Sequence, residues 1–186
     1  EAKTIKDIIA MSKAKPGSVN VAIAGATGEI ATNLIKSMAG IDMNNVPYKG
    51  GAPAVIAVVS GESHFVLTPW GGVQAQVEAG KMKVLGTTSS RRDPAIPNVP
   101  TLAEAGIPGF ELNGWYAWLA PAGTPQSILQ ALNREAAQIL QAPDMLDKFA
   151  NDGSEPAPGS SEDLRALYNR EIEKWARLFA RMKVKL

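Results

Sequence analysis

The sequence predicts an α/β fold built on a parallel sheet, and three observations predict it. Short β-branched or small apolar runs alternate with segments of helical apolar spacing. Glycines stand where these runs hand over to helices, as at Gly25 and Gly50-Gly51. The strand–turn–helix unit then repeats between Val19 and Thr88. Alternation of this kind lays parallel strands side by side and covers both faces with helices.

Each element has a local cause. Thr4 precedes Ile5, Ile8, Ile9 and Met11, with Asp7 three positions on, a capping signal that predicts a helix over 5–14, ended by Lys15-Pro16-Gly17. Val19 to Ala24 reads as a buried strand broken at Gly25. Thr27-Gly28-Glu29 opens the next helix, with Ile30, Leu34, Ile35 and Met38 on one face and Gly40 beyond its end. The unit recurs as strand 45–48, turn Gly50-Gly51 and helix 52–60, stopped by Gly61. It recurs again as strand 64–68, turn Gly71-Gly72 and helix 73–79, stopped by Gly80, followed by a fourth strand over 82–88.

After Thr88 the character changes. Residues 91–108 hold Pro94, Pro97, Pro100 and Pro108, and only Thr101–Ala105 suits a helix. Phe110 to Leu119 alternates aromatic and small residues in an extended style. Thr124-Pro125 is an N-cap followed by proline at the first helical position, predicting a helix to about Gln141. Short helix 145–150 and irregular segment 154–159 follow. Ser161-Glu162-Asp163 then caps a long terminal helix striped by Leu164, Leu167, Tyr168, Ile172, Trp175, Leu178 and Phe179. This stretch has almost no sheet of its own, yet apolar helix faces must pack on something. The expectation is a lobe whose strands come from upstream. Glu1 opens the chain without Met or a leader, which fits a removed signal peptide or a start in mid-protein.

Composition narrows the function. With 19 basic against 18 acidic residues the net charge is +1, which gives no clustered basic face for nucleic acid or an anionic membrane. A 45% hydrophobic, 20% charged chain is that of a folded domain. No cysteine is present, so thiolate and disulfide chemistry are excluded, and no apolar run reaches 18 residues. His64, the one histidine, falls at a strand start and reads as a surface or packing residue. No Ser-His-Asp set or metal cluster can be assembled, so neither catalytic nor metal-binding residues nor a cofactor is expected. Trp175 reads as core, Trp115 and Trp118 as packing between lobes, and Trp70 as a lid or a packing residue.

Ligands of open α/β sheets bind beyond the carboxyl ends of the strands. Three turns lie there: Gly25-Ala26-Thr27-Gly28, then Tyr48-Lys49-Gly50-Gly51, then Thr68-Pro69 with Trp70-Gly71 after it. Each offers free N–H groups at a helix start, which favours an anion, and the glycines let backbone approach it. The candidate ligand residues are therefore Gly25, Ala26, Thr27, Gly28, Tyr48, Lys49, Gly50, Gly51, Thr68 and Pro69. Taken singly, each turn is equally read as an ordinary tight βα connection. The strand, G-x-x-G-x-x-A and helix at 21–31 also invites an NAD(P)-binding enzyme reading. Against it, the next strand ends in Lys49, not in an acidic residue for a ribose.

Three stretches carry a family resemblance: Val46-Pro-Tyr-Lys-Gly-Gly-Ala-Pro-Ala54, Pro97-Asn-Val-Pro-Thr-Leu-Ala-Glu-Ala-Gly-Ile-Pro-Gly-Phe-Glu111 and Trp115-Tyr-Ala-Trp-Leu-Ala-Pro-Ala-Gly-Thr-Pro125. They resemble the substrate-binding proteins of tripartite tricarboxylate transporters, the Bug family. The resemblance implies a periplasmic-binding-protein-like (type II), two-lobed α/β fold that closes on its ligand, with one lobe complete here and the other partial. Residues 1–113 would be the second lobe and 114–186 the C-terminal, mostly helical part of the first. It implies a non-enzymatic, exported, periplasmic protein that captures a small organic carboxylate or amino acid for a membrane permease. A ligand-sensing role beside a membrane receptor is the alternative, and the C-terminal helices of the truncated chain are expected either to dock abnormally or to self-associate. Two positions depart from the family pattern. Glu29 stands where His is common, after a shortened first loop, and Thr68 stands where Asp is common.

Overall fold

In the computed structural model, which describes residues 2–182, Thr4 caps helix α1 (Ile5–Ala14) through a reciprocal pair. The Asp7 amide donates to Thr4 Oγ1 at 3.2 Å and the Thr4 amide donates to Asp7 Oδ2 at 2.9 Å. Strand β1 (Asn20–Ala24) follows, and Val21, Ala22 and Ile23 are all buried. Successive side chains point to opposite faces, so burial of three in a row means both faces are covered. Parallel strands β2 (Asn44–Tyr48) and β3 (Phe65–Val66) flank it in the order β2-β1-β3. The register runs from Asn20 opposite Asn44 to Ala24 opposite Tyr48 on one side, with Val21 opposite Phe65 on the other.

Helix α2 (Gly25–Ala39) joins β1 to β2, and helix α3 (Gly51–Val59) carries the chain back across β1 to β3. Because the two crossovers step in opposite directions and such crossovers are right-handed, the helices cover opposite faces. Leu34 and Ile35 of α2, Ala54 and Ala57 of α3, and Val19, Val21 and Met43 are all buried in the core. A 3₁₀ turn (Trp70–Gly72), helix α4 (Gln74–Glu78) and helix α5 (Leu102–Ala105) complete the unit Glu1–Asn113.

Several expectations are corrected here. Helix α2 begins at Gly25, so Gly25-Ala26-Thr27-Gly28 is its first turn and not a separate loop. Gly25 makes this possible with φ of 76°, which strains any residue with a Cβ. Strand β3 is two residues long and pairs with β1 only at Val21 and Ala22, so Leu67 and Thr68 fall outside it. Segment 82–88 forms no sheet strand. It lies beside 100–102, the Thr87 amide donating to Pro100 O at 3.0 Å and the Leu102 amide to Thr87 O at 2.8 Å. Pro100 has no donor to continue that ladder. A Cβ on Gly86 would come within 2.9 Å of Leu102 Cδ2 and 3.3 Å of Pro100 O. Gly86→Ala should therefore destabilise this unit by about 1–3 kcal/mol, read as a lowered urea midpoint.

The second unit, Gly114–Leu186, holds helices α6 (Gln126–Leu140), α7 (Pro143–Asp152) and α8 (Ser161–Met182). Thr124 does not cap α6; its hydroxyl donates to Pro121 O at 2.8 Å and Pro125 sits at the cap position. Helix α7 runs longer than its apolar residues suggest, from Pro143 at its start to left-handed Gly153 at its end. The cap of α8 is Ser160, one residue before the expected Ser161, paired reciprocally with Asp163. Trp175 is half-buried, 5.6 Å from Phe179 between ring centres, and Tyr168 and Ile172 are exposed. Among the described residues of this unit none is buried.

The capping carboxyls make stability depend on pH. Main-chain N–H donors from Lys3 hold Asp7 below its ordinary range, with the Thr4 hydroxyl next; the Thr101 amide, then Arg92, does so for Glu104. A lowered folded pKa contributes stability that is full above the ordinary value and lost as pH falls through the lowered one. The urea midpoint of residues 1–113 should be level above the ordinary glutamate value of 4.5 and decline below it. Glu104→Gln should flatten that decline.

Candidate ligand site at the sheet edge

The carboxyl ends of β1 and β3 adjoin where the chain's crossovers reverse direction, the topological switch point of an open sheet. Three turns gather there. Gly28, buried, faces the third strand: a Cβ on it would lie 3.9 Å from Leu67 O. The Thr68 hydroxyl stands between the second turn and its own, 3.9 Å from a Cβ built on Gly51 and 3.1 Å from one on Gly72. Thr68 is half-buried; Ala26, Thr27, Lys49, Gly50, Gly51 and Pro69 are exposed.

The helix starts at this edge carry no side-chain caps. Neither Ala24 before α2 nor Gly50 before α3 offers one, and neither first turn holds an acidic residue. Helices α1 and α5 of the same unit begin instead with complete boxes, Thr4 with Asp7 and Thr101 with Glu104. Helices α4, α6 and α7 also lack a side-chain cap, but α2 and α3 alone start directly at the ends of neighbouring strands. Uncapped N–H groups and the positive ends of two dipoles thus converge on one spot. Gly50, at φ 109°, lets the chain turn sharply into α3, its amide donating to Tyr48 O at 2.9 Å.

Tyr48 departs from the others. Its hydroxyl donates to Glu62 Oε1 at 2.8 Å. The Ser63 hydroxyl beside it favours the phenolate, but burial and the Glu62 carboxylate outweigh this and hold Tyr48 above the ordinary tyrosine range. It therefore stays a donor at neutral pH. Sequence reasoning missed Glu62, which carries no motif; a tyrosine and a glutamate flanking one short helix are the only trace. His64 sits in the same corner, its Nδ1 accepting the Asn20 amide at 3.0 Å, so it serves strand pairing. Among the described residues no group of three or more His, Cys, Asp or Glu could hold a metal, and no helix is long and apolar enough to cross a membrane.

Comparison with known proteins identifies the family and the fold. The family model described as tripartite tricarboxylate transporter family receptor matches residues 1–184. A UPF0065 protein of the tcbD-tcbE intergenic region of Pseudomonas sp. (strain P51) is 34% identical over 95% of this chain and 53% of its own length. R. palustris Rpa4515, solved with adipate, is 31% identical with a TM-score of 0.90, covering 98% of this chain and 62% of that one. The periplasmic binding protein BugD is 27% identical with a TM-score of 0.86, covering 99% and 63%. The chain spans about half the length of such relatives. These neighbours have the periplasmic-binding-protein fold, and the dinucleotide reading of 21–31 falls away, since the family is one of receptors. From residue 1 to residue 184, this chain belongs to the tripartite tricarboxylate transporter family of receptors.

Proposed function

We propose that this chain is the solute-holding part of a periplasmic receptor that captures a small organic carboxylate and presents it to a membrane permease. The observation that carries the reading is the pair of uncapped helix starts at the ends of neighbouring strands, with the Thr68 hydroxyl beside the second of them. A carboxylate accepts from several N–H groups at once, and such charge-assisted bonds are the strong ones. The ligand group would rest on the amides of Gly25, Ala26 and Thr27 in the Gly25–Gly28 turn, on that of Gly51 after Gly50, and on the Thr68 hydroxyl beside Pro69. Lys49 supplies the nearby positive charge. Rpa4515, solved with adipate, supports the ligand class; an amino acid is the other ligand this edge would take, with Glu29 facing its ammonium group.

Residues 1–113 are read as the second lobe and 114–186 as the C-terminal part of the first. The absence of a buried residue among those described in 114–186 supports this, because helices with unburied apolar faces lack a partner. Tyr116, Trp118 and Leu119 are 99%, 82% and 87% exposed, and Ile128, Leu132 and Ile139 on α6 are also exposed. By itself the chain should then self-associate through these groups. Sedimentation velocity should show a mass rising with concentration; a strict monomer at all concentrations would contradict this.

Function is tested by thermal melting of the protein extended to the length of its relatives, with and without adipate. A ligand that binds only the folded state raises the melting temperature by mass action. A rise with adipate that Thr27→Val plus Thr68→Val removes would support the site. An undiminished rise in that variant would move the site elsewhere.

A further inference from the structure

Glu62 and Tyr48 lie on either side of α3 in sequence, and their side chains meet. Tyr48 ends β2 and immediately precedes Lys49-Gly50-Gly51, while Glu62 follows α3 and immediately precedes the approach to β3. The 2.8 Å bond from the Tyr48 hydroxyl to Glu62 Oε1 therefore closes a ring of chain around the helix. The Glu62 end of that ring is itself fastened. The Ser63 amide donates to Ala57 O at 3.0 Å and the His64 amide to Asn20 O at 2.9 Å. Asn20 returns its amide to His64 Nδ1 at 3.0 Å and its side-chain amide reaches Glu62 O at 3.4 Å. These contacts extend the hold of β1 on a strand only two residues long.

We infer that Tyr48 is a positioning residue and not a ligand contact: through Glu62 it straps α3 between the second and third turns and so fixes Gly50-Gly51 against the Thr68 hydroxyl. The inference deepens the carboxylate reading above and rests on it for its effect on affinity. The geometry has a direct consequence. A hydroxyl committed to Glu62 is not available to a solute, and freeing it loosens one wall of the site without removing any group that lines it. A net hydrogen bond of this kind corresponds to about a threefold to tenfold change in an equilibrium.

The test compares Tyr48→Phe, Glu62→Ala and Glu62→Gln by amide hydrogen exchange, with adipate titration of the protein at the length of its relatives alongside. Tyr48→Phe and Glu62→Ala should each speed exchange at Gly50, Ala54 and Val55, whose amides are bonded at the start of α3, about threefold to tenfold, and the double variant should add nothing. Glu62→Gln keeps an acceptor for the hydroxyl and should behave as the parent. Amides of Ile23 and Leu34 should not move, which separates positioning from general loss of stability. If Tyr48→Phe leaves exchange at Gly50, Ala54 and Val55 unchanged, or if all amides accelerate together, the strap is overturned. In the titration, Tyr48→Phe should weaken adipate by a similar factor and Glu62→Gln should not. Full adipate affinity in Tyr48→Phe beside accelerated exchange would overturn the link to binding. Absence of adipate binding in the parent would overturn the carboxylate reading instead, while the exchange data still decide the strap.

Discussion

Phe110→Ala should cost about 3–5 kcal/mol, enough to unfold much of the first unit at room temperature. Phe110 is the largest fully buried side chain among those described, at 1% exposure, and it sits near the end of the Pro-rich return segment. Its amide donates to Ile107 O at 3.0 Å, and two residues on the Leu112 amide donates to Thr88 O at 2.8 Å. Removing the ring leaves a cavity in the buried core and unfastens that segment. Trp118→Ala deletes a larger side chain that is 82% exposed and should change stability by less than about 0.5 kcal/mol. Urea denaturation of the chain followed by far-ultraviolet circular dichroism compares them. Equal effects from the two would mean that the core is misplaced.

The second large effect concerns the site. Thr68→Val preserves shape and removes the hydroxyl, and should weaken a bound carboxylate on the order of ten- to hundredfold, since bonds to charged groups are worth about 1.5–3 kcal/mol. Gly72→Ala should weaken it too, because the added methyl would sit 3.1 Å from the Thr68 hydroxyl and displace it by tenths of an ångström. Neither variant touches the core, so their melting curves without ligand should match the parent. Calorimetric titration with adipate measures both. An unchanged affinity in Thr68→Val would take that hydroxyl out of the site.

Much of this architecture was legible in the residues. The strands at Asn20–Ala24 and Asn44–Tyr48 and helices α1, α2 and α3 follow from apolar spacing and caps that agree with one another. The boundaries that slipped are those set by backbone geometry. A glycine at φ 76° can begin a helix directly, which no residue type alone announces, so Gly25–Gly28 read as a loop. Met82–Thr88 looks like a strand by composition. Pairing decides otherwise, because its neighbour offers Pro100 and a leucine packed on Gly86. Trp175 and Ile172 read as core on helical spacing, yet burial needs a partner surface that spacing cannot supply. At the site, the three turns were visible as glycines and threonines, but their convergence on Thr68 is a product of the β2-β1-β3 order. The Tyr48–Glu62 bond joins residues whose spacing matches no motif, and only the path of α3 brings them together.

The most direct test of the account is an amide-resolved NMR titration of the protein, extended to the length of its relatives, with adipate. The account predicts shifts concentrated at Gly25–Gly28, Gly50, Gly51 and Thr68, with the capped starts of α1 and α5 unmoved. Shifts that avoid these turns, in a protein shown to bind adipate, would contradict it.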